Sequence, residues 1–132
     1  MNSELQAFFD SYRAAFDRLD AAAIAAHFAV PGMLIDGAPR VWTRPEDILA
    51  NMVALVALYR DGGYAGASCS LAELLLQGAD NAVANLVWTV ARREGLAPWR
   101  FRTGYTLHRF ADGWKIVLCT AYEERVARTS EA

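Results

Sequence analysis

Two residues able to handle a proton stand in the first third of this chain. Tyr12 lies in a segment whose apolar residues recur every three or four positions, and Asp36 closes the first strand-like apolar stretch. A phenol in an apolar pocket donates a hydrogen bond to an oxygen on which charge develops, an effect worth a few kcal/mol per donor. A carboxylate against apolar walls gains strength as a base. His27 precedes the strand that bears Asp36 and is a candidate to assist it as general acid or base, although a histidine at a helix C-terminus also suits the helix dipole. The plainer readings stand beside these: Tyr12 as a core tyrosine with a satisfied hydroxyl, and Asp36 before Gly37 as a turn residue.

The elements that must position these groups are set by periodicity. Leu5, Phe8, Phe9, Tyr12, Phe16 and Leu19 predict an amphipathic helix over Ser3 to Leu19, with Ser3 as N-cap. Asp20 caps a second, alanine-rich helix from Ala21 to Phe28, which Pro31-Gly32 stops. Met33 to Ile35 reads as a short strand, Asp36 to Pro39 as a turn, and Arg40 to Trp42 as a strand pairing back. Thr43 is the expected N-cap of a third helix running to Asp61, ended by Gly62-Gly63.

Beyond that glycine pair the period is that of strands: Ala67 to Gln77, Ala82 to Arg93, Trp99 to Phe110 and Trp114 to Glu123, joined by short turns. Three helices followed by an antiparallel meander make an α+β domain, expected over residues 1–125 with a loose tail over 126–132. Val83, Leu86, Val87, Trp88 and Val90 show no clean polar alternation, so one sheet face is expected on the helices and the other against a second copy of the chain.

Composition narrows the function classes. The chain has 132 residues, enough for one core, and its 55% hydrophobic content excludes a disordered protein. Its net charge of -2 and scattered basic residues argue against nucleic acid as a partner. The acidic N-terminus and the absence of a long apolar run lead to the expectation of a cytoplasmic protein with no membrane association. Cys69 and Cys119, far apart, are expected as buried free thiols, and two histidines without carboxylates at ligand spacing make no metal site. Neither a phosphate-binding glycine loop nor a serine elbow is present, so no cofactor and no covalent chemistry are indicated.

The run from Ser11 to Asp20, then Ile24-Ala25-Ala26-His27-Phe28 and Met33-Leu34-Ile35-Asp36-Gly37, resembles the opening of the ketosteroid-isomerase branch of the NTF2-like (SnoaL-like) superfamily. The resemblance implies three N-terminal helices packed on a strongly curved antiparallel sheet, a cone with a cavity inside. It also gives Tyr12 the role of donor to a substrate carbonyl and Asp36 that of proton shuttle. Trp42, Trp88 and Tyr105, with Phe16, are candidates to line the cavity, although strand tryptophans also serve as core. Thr106 falls where the isomerases carry a second, protonated acid. A threonine hydroxyl is the weaker donor, which argues against steroid isomerisation and leaves a cofactor-free isomerase, cyclase or dehydratase acting on an apolar carbonyl compound. A ligand-binding module without turnover and a structural dimer remain the other two classes, because the fold hosts all three.

Overall fold

The computed structural model describes residues 2–122; the tail from 126 lies outside them. Helix α1 (Ser3–Asp17) is capped by Asn2, whose side-chain oxygen accepts from Leu5 N at 2.8 Å. The cap therefore falls one residue before Ser3. Leu19 takes a positive φ of 51°, and the chain turns at once into α2 (Ala21–Ala25), where Asp20 Oδ1 accepts from Ala23 N at 3.1 Å.

Helix α2 is shorter than its composition predicts because the sheet claims the residues after it. The carbonyl of His27 accepts from Ile116 N at 2.9 Å, and Phe28 pairs with Ile116. Strand β1 (Phe28–Asp36) thus begins before Pro31-Gly32 rather than after it. The proline, which has no N–H to give, sits where the pairing shifts register between Phe28 and Met33. Gly37, with φ of 80°, makes the tight reversal into β2 (Ala38–Trp42). Helix α3 (Pro45–Asp61) opens with proline in its first turn and Arg44, not Thr43, at the cap position without a side-chain bond.

The meander is β3 (Tyr64–Leu76), β4 (Asn81–Arg92), β5 (Trp99–Phe110) and β6 (Gly113–Tyr122). The sheet order is β2-β1-β6-β5-β4-β3. All neighbouring pairs are antiparallel except β1 with β6, which run parallel, so the sheet is mixed where a wholly antiparallel one was expected. Parallel pairing brings the end of β1, with Asp36, alongside the far part of β6.

The core lies between the helices and the concave sheet face. Leu5, Phe9, Tyr12, Ala15 and Phe16 of α1 are buried against Ala82, Ala84, Leu86, Trp88 and Val90 of β4 and their neighbours on β5 and β6. Strand β4 does alternate: its outer face carries Val83, Asn85, Val87 and Thr89, all half-buried, and Asn85 accepts a hydrogen bond from the Tyr122 hydroxyl at 3.0 Å. The outer face is therefore more polar than the run of apolar residues suggests, because Asn85 and Thr89 fall on it in phase.

One interaction fixes α1 in the concavity. The Tyr64 hydroxyl donates to the carbonyl of Asp17 at 2.9 Å, with that of Phe16 at 3.1 Å, and Asp17 Oδ1 accepts from Ala67 N at 3.0 Å. Partial burial and the Asp17 charge push the Tyr64 hydroxyl up to about 12. Tyr64→Phe is expected to lower unfolding stability by about 1 kcal/mol with no change in denaturant slope, as urea titration will show; an unchanged midpoint would mean the tie is dispensable.

Candidate functional site

Between α1, α3 and the concave face lies a cavity of about 830 Å³, within the range that small-molecule sites occupy. Tyr12 and Phe16 of α1 enter it from one side, and Asn51, Leu55 and Tyr59 of α3 from another. Strand β1 contributes Phe28, Leu34 and Asp36, and β2 contributes Arg40. Trp88 of β4, Trp99, Thr103 and Tyr105 of β5, and Cys119 of β6 complete the wall.

The room exists partly because of how Trp99 is seated. Its ring lies against Gly62, where any Cβ would collide with it, and the Arg92 guanidinium covers it at 4.4 Å from the ring centroid. Arg92 Nε in turn donates to the Gly62 carbonyl at 2.8 Å. The C-terminus of α3 is thereby attached to β4 and β5 without filling the space beneath.

The cavity has two polar regions. In the first, Trp88 Nε1 donates to the Tyr105 hydroxyl oxygen at 3.0 Å, and the ring of Tyr12 lies 5.5 Å from that of Tyr105. Tyr12 and Tyr105 are each 2% exposed. Burial holds both hydroxyls well above the ordinary tyrosine range, because a phenolate there would lose its water. Thr103 is also buried and faces the same space. The second region is the rim, where Asp36 at the end of β1 and Arg40 in the middle of β2 are exposed. Burial, with the Asp36 charge adding to it, pushes the Cys119 thiol up to about 12, so this thiol is a neutral part of the wall.

Five of the residues singled out in the sequence thus meet on one cavity: Tyr12, Phe16, Asp36, Trp88 and Tyr105. Three do not. Trp42 is buried and packs its ring edge-on to Phe28 at 5.7 Å, as core. Thr106 is on the opposite sheet face, because Thr103, Tyr105 and Leu107 point inward and the side-chain period of a strand is two. The irregular pairing at Thr106/Leu107 does not change that alternation. Arg40, Asn51 and Thr103 are polar lining residues that the sequence reading missed; once Tyr105 is known to face inward, Thr103 is the inward threonine by parity.

His27 is the third. Its Nδ1 lies 2.7 Å from the Ala23 carbonyl, which can only accept, so Nδ1 carries the proton and Nε2 accepts from the Ser11 hydroxyl at 2.9 Å. Its ring backs onto Tyr12 at 5.4 Å, outside the cavity lining. Among the described residues no cluster of His, Cys, Asp or Glu could hold a metal, and both cysteines are free. A more open groove of about 720 Å³ runs past Glu4, Asp80, Arg109 and Trp114, but its cation is already engaged: Arg109 donates to Asp80 at 2.8 Å and lies 3.5 Å from Glu4.

Burial lowers the pKa of His27 from its ordinary 6.5, outweighing the Ala23 bond that favours its charged form. A histidine with a depressed folded-state value contributes stability that is present above the unfolded value and is lost as pH falls through the folded one. Stability measured by denaturant titration should therefore decline as pH is lowered from 6.5, and His27→Gln should flatten that part of the curve. An unaltered slope would remove His27 from the account.

The family described as NTF2-like protein (DUF6841) matches residues 3–124. No curated protein matches the sequence. Solved structures share the fold at low identity. A ketosteroid isomerase-like protein from Erwinia carotovora atroseptica SCRI1043 is 19% identical over 92% of this chain and 96% of that one, with a TM-score of 0.69. A domain of unknown function with a cystatin-like fold from Nostoc punctiforme PCC 73102 is 16% identical over 97% and 82%, with a TM-score of 0.74. An NTF-2 like protein of unknown function from Shewanella oneidensis MR-1 is 15% identical over 89% and 95%, with a TM-score of 0.70. With one family spanning nearly its whole length, and with three helices on a curved mixed sheet as its architecture, the chain belongs to the NTF2-like family DUF6841.

Proposed function

We propose that this protein binds a small, largely apolar, carbonyl-bearing compound in the cavity and moves a proton on it without a cofactor, as an isomerase, cyclase or dehydratase does. The observation that carries the reading is the pairing of two unlike polar regions on one aromatic-walled cavity of about 830 Å³. Buried phenols form one, an exposed carboxylate the other. The tyrosine pair would stabilise an oxyanion in a water-poor setting, and Asp36 would take up and return the proton. The solvent exposure of Asp36 favours a second reading, a binder without turnover, since a catalytic base works best when closed off from water.

The two readings separate in one assay. Calorimetry should show the protein binding an apolar phenol, and proton NMR in D2O should show deuterium entering the carbon beside the carbonyl of a cyclic ketone. Asp36→Asn should bind as the parent does and exchange at least about a hundredfold more slowly. Exchange at the parent rate in Asp36→Asn would refute the base assignment; binding with no exchange by the parent would leave the binder.

The same proposal includes a homodimer through the outer sheet face. Leu75, Val83, Thr106 and Leu118 are aligned across β3 to β6 by the strand register, and Leu75 is 60% exposed. Val83, Thr106 and Leu118 are half-buried, and apolar side chains left partly open to water on a sheet face are commonly covered by a partner. Sedimentation should give a dimer at micromolar concentration and a monomer for Val83→Arg; a monomeric parent would defeat the assignment.

A further inference from the structure

The mouth of the cavity holds donors to which the protein offers no oxygen acceptor. Arg40 pairs with Leu34 across the β1–β2 hairpin, and Leu34 pairs with Cys119 on β6, so the three form one row across the sheet. All three line the cavity. Side chains of paired residues project from the same face of a sheet, which turns the guanidinium toward the mouth. Arg40 is exposed, and among the described residues no carboxylate or carbonyl accepts from it. Arg109, in the other groove, differs in being held by Asp80 at 2.8 Å.

A second donor enters from α3. Asn51 lines the cavity, and its amide N–H reaches only the Met52 sulfur, at 3.9 Å, a weak acceptor. Asp36 shares the inward face of β1 with Leu34, yet among the described residues no ion pair joins it to Arg40. A guanidinium keeps its charge at any working pH and grips a carboxylate through two parallel N–H···O bonds. With Asp36 on the same rim, the two charges sum to zero, which disfavours a doubly charged head group such as a phosphate and suits a singly charged one. Deeper in the cavity the wall is uncharged: among the described lining residues Arg40 is the one cation.

We propose that Arg40, assisted by the Asn51 amide, anchors a carboxylate on the ligand, so that the compound the cavity takes is an apolar acid. Its carboxylate lies at the rim and its apolar body among Phe16, Trp88 and Trp99. The anchor also sets which end enters first, because a carboxylate carried to the buried tyrosines would lose its water and meet no cation there. This narrows the substrate of the proposed function to an apolar keto acid and rests on that reading for the carbonyl; the carboxylate anchor stands apart from it.

Calorimetry with phenylbutanoate and phenylbutanol, which differ at the head group and carry no phenol, tests the anchor. The parent should bind the acid about tenfold or more tightly than the alcohol. Arg40→Gln should bring the two affinities within about twofold of each other, and since Arg40 is exposed and unpartnered its urea midpoint should stay in place. Arg40→Lys should keep part of the preference, having the charge without the paired geometry. Arg44→Gln removes a cation that lies outside the cavity and faces Asp47 at 3.4 Å, and should keep all of it. Equal affinities in the parent, a preference that survives in Arg40→Gln, or one that Arg44→Gln also abolishes would overturn the proposal, as would a parent that does not bind phenylbutanoate. A parent that holds the acid through Arg40 but binds no phenol and exchanges no deuterium upholds the anchor and refutes the proposed function, so the two fail separately.

Discussion

A phenol or an indole N–H sealed into an apolar wall must find a hydrogen-bond partner, and the bond from Trp88 to Tyr105 meets that requirement across two strands. Trp88 is opposite Phe101 and Tyr105 opposite Ala84, with the Leu86–Thr103 pair between them. The indole must therefore lean along the sheet to reach the phenol. A slip of one residue between β4 and β5 would send Tyr105 to the outer face and leave the indole unpaired, a loss of roughly 1–3 kcal/mol. The bond thus helps to fix the register that places Thr103 inward and Thr106 outward, and α1 then closes over it with Tyr12 and Phe9.

Small residues make this possible. Ala82 and Ala84 are both fully buried on β4, and the absence of bulk there lets the ring of Tyr105 and the aromatic face of α1 share one layer. Toward the other end the wall is built of large rings, Trp88 and Trp99, and the Trp99 ring can lie against the end of α3 only because Gly62 has no side chain. The cavity is the volume left between α1, α3 and the concave face, with Trp88, Trp99 and Tyr105 in its wall. Interiors are otherwise filled to crystal density.

Much of this was legible in the residues. The stripe from Leu5 to Leu19 and the glycine pair at 62 and 63 marked the helix and the change of period, and the resemblance carried by Tyr12 and Asp36 led to the fold. The features that were not legible depended on partners distant in sequence. Strand β1 runs through Pro31-Gly32 because β6 pairs with it, a contact between residues 28 and 116. Local propensity at a proline says only that a helix stops there. Thr106 and Thr103 differ by an odd number of positions, and without the register of Tyr105 nothing in the sequence separates them. His27 looked like a catalytic neighbour because it is near Asp36 in the chain, yet its ring is directed to Ser11 on the opposite side of Tyr12.

The same separation bears on how a proton-transfer site can evolve on this scaffold. Donors that stabilise a charge need exclusion from water, since an electrostatic interaction strengthens as the local dielectric falls. A group that exchanges protons with solvent needs access to it. Here the donors are set by the sheet and α1, while the carboxylate stands on the β1–β2 hairpin, whose turn at Gly37 has open space around it. The buried region is bound to the register of β4 and β5 and cannot change without disturbing the core. The hairpin is not so constrained, so the chemistry of the rim can vary from one member of the fold to another while the buried hydroxyl region stays, and fold alone therefore cannot assign an activity.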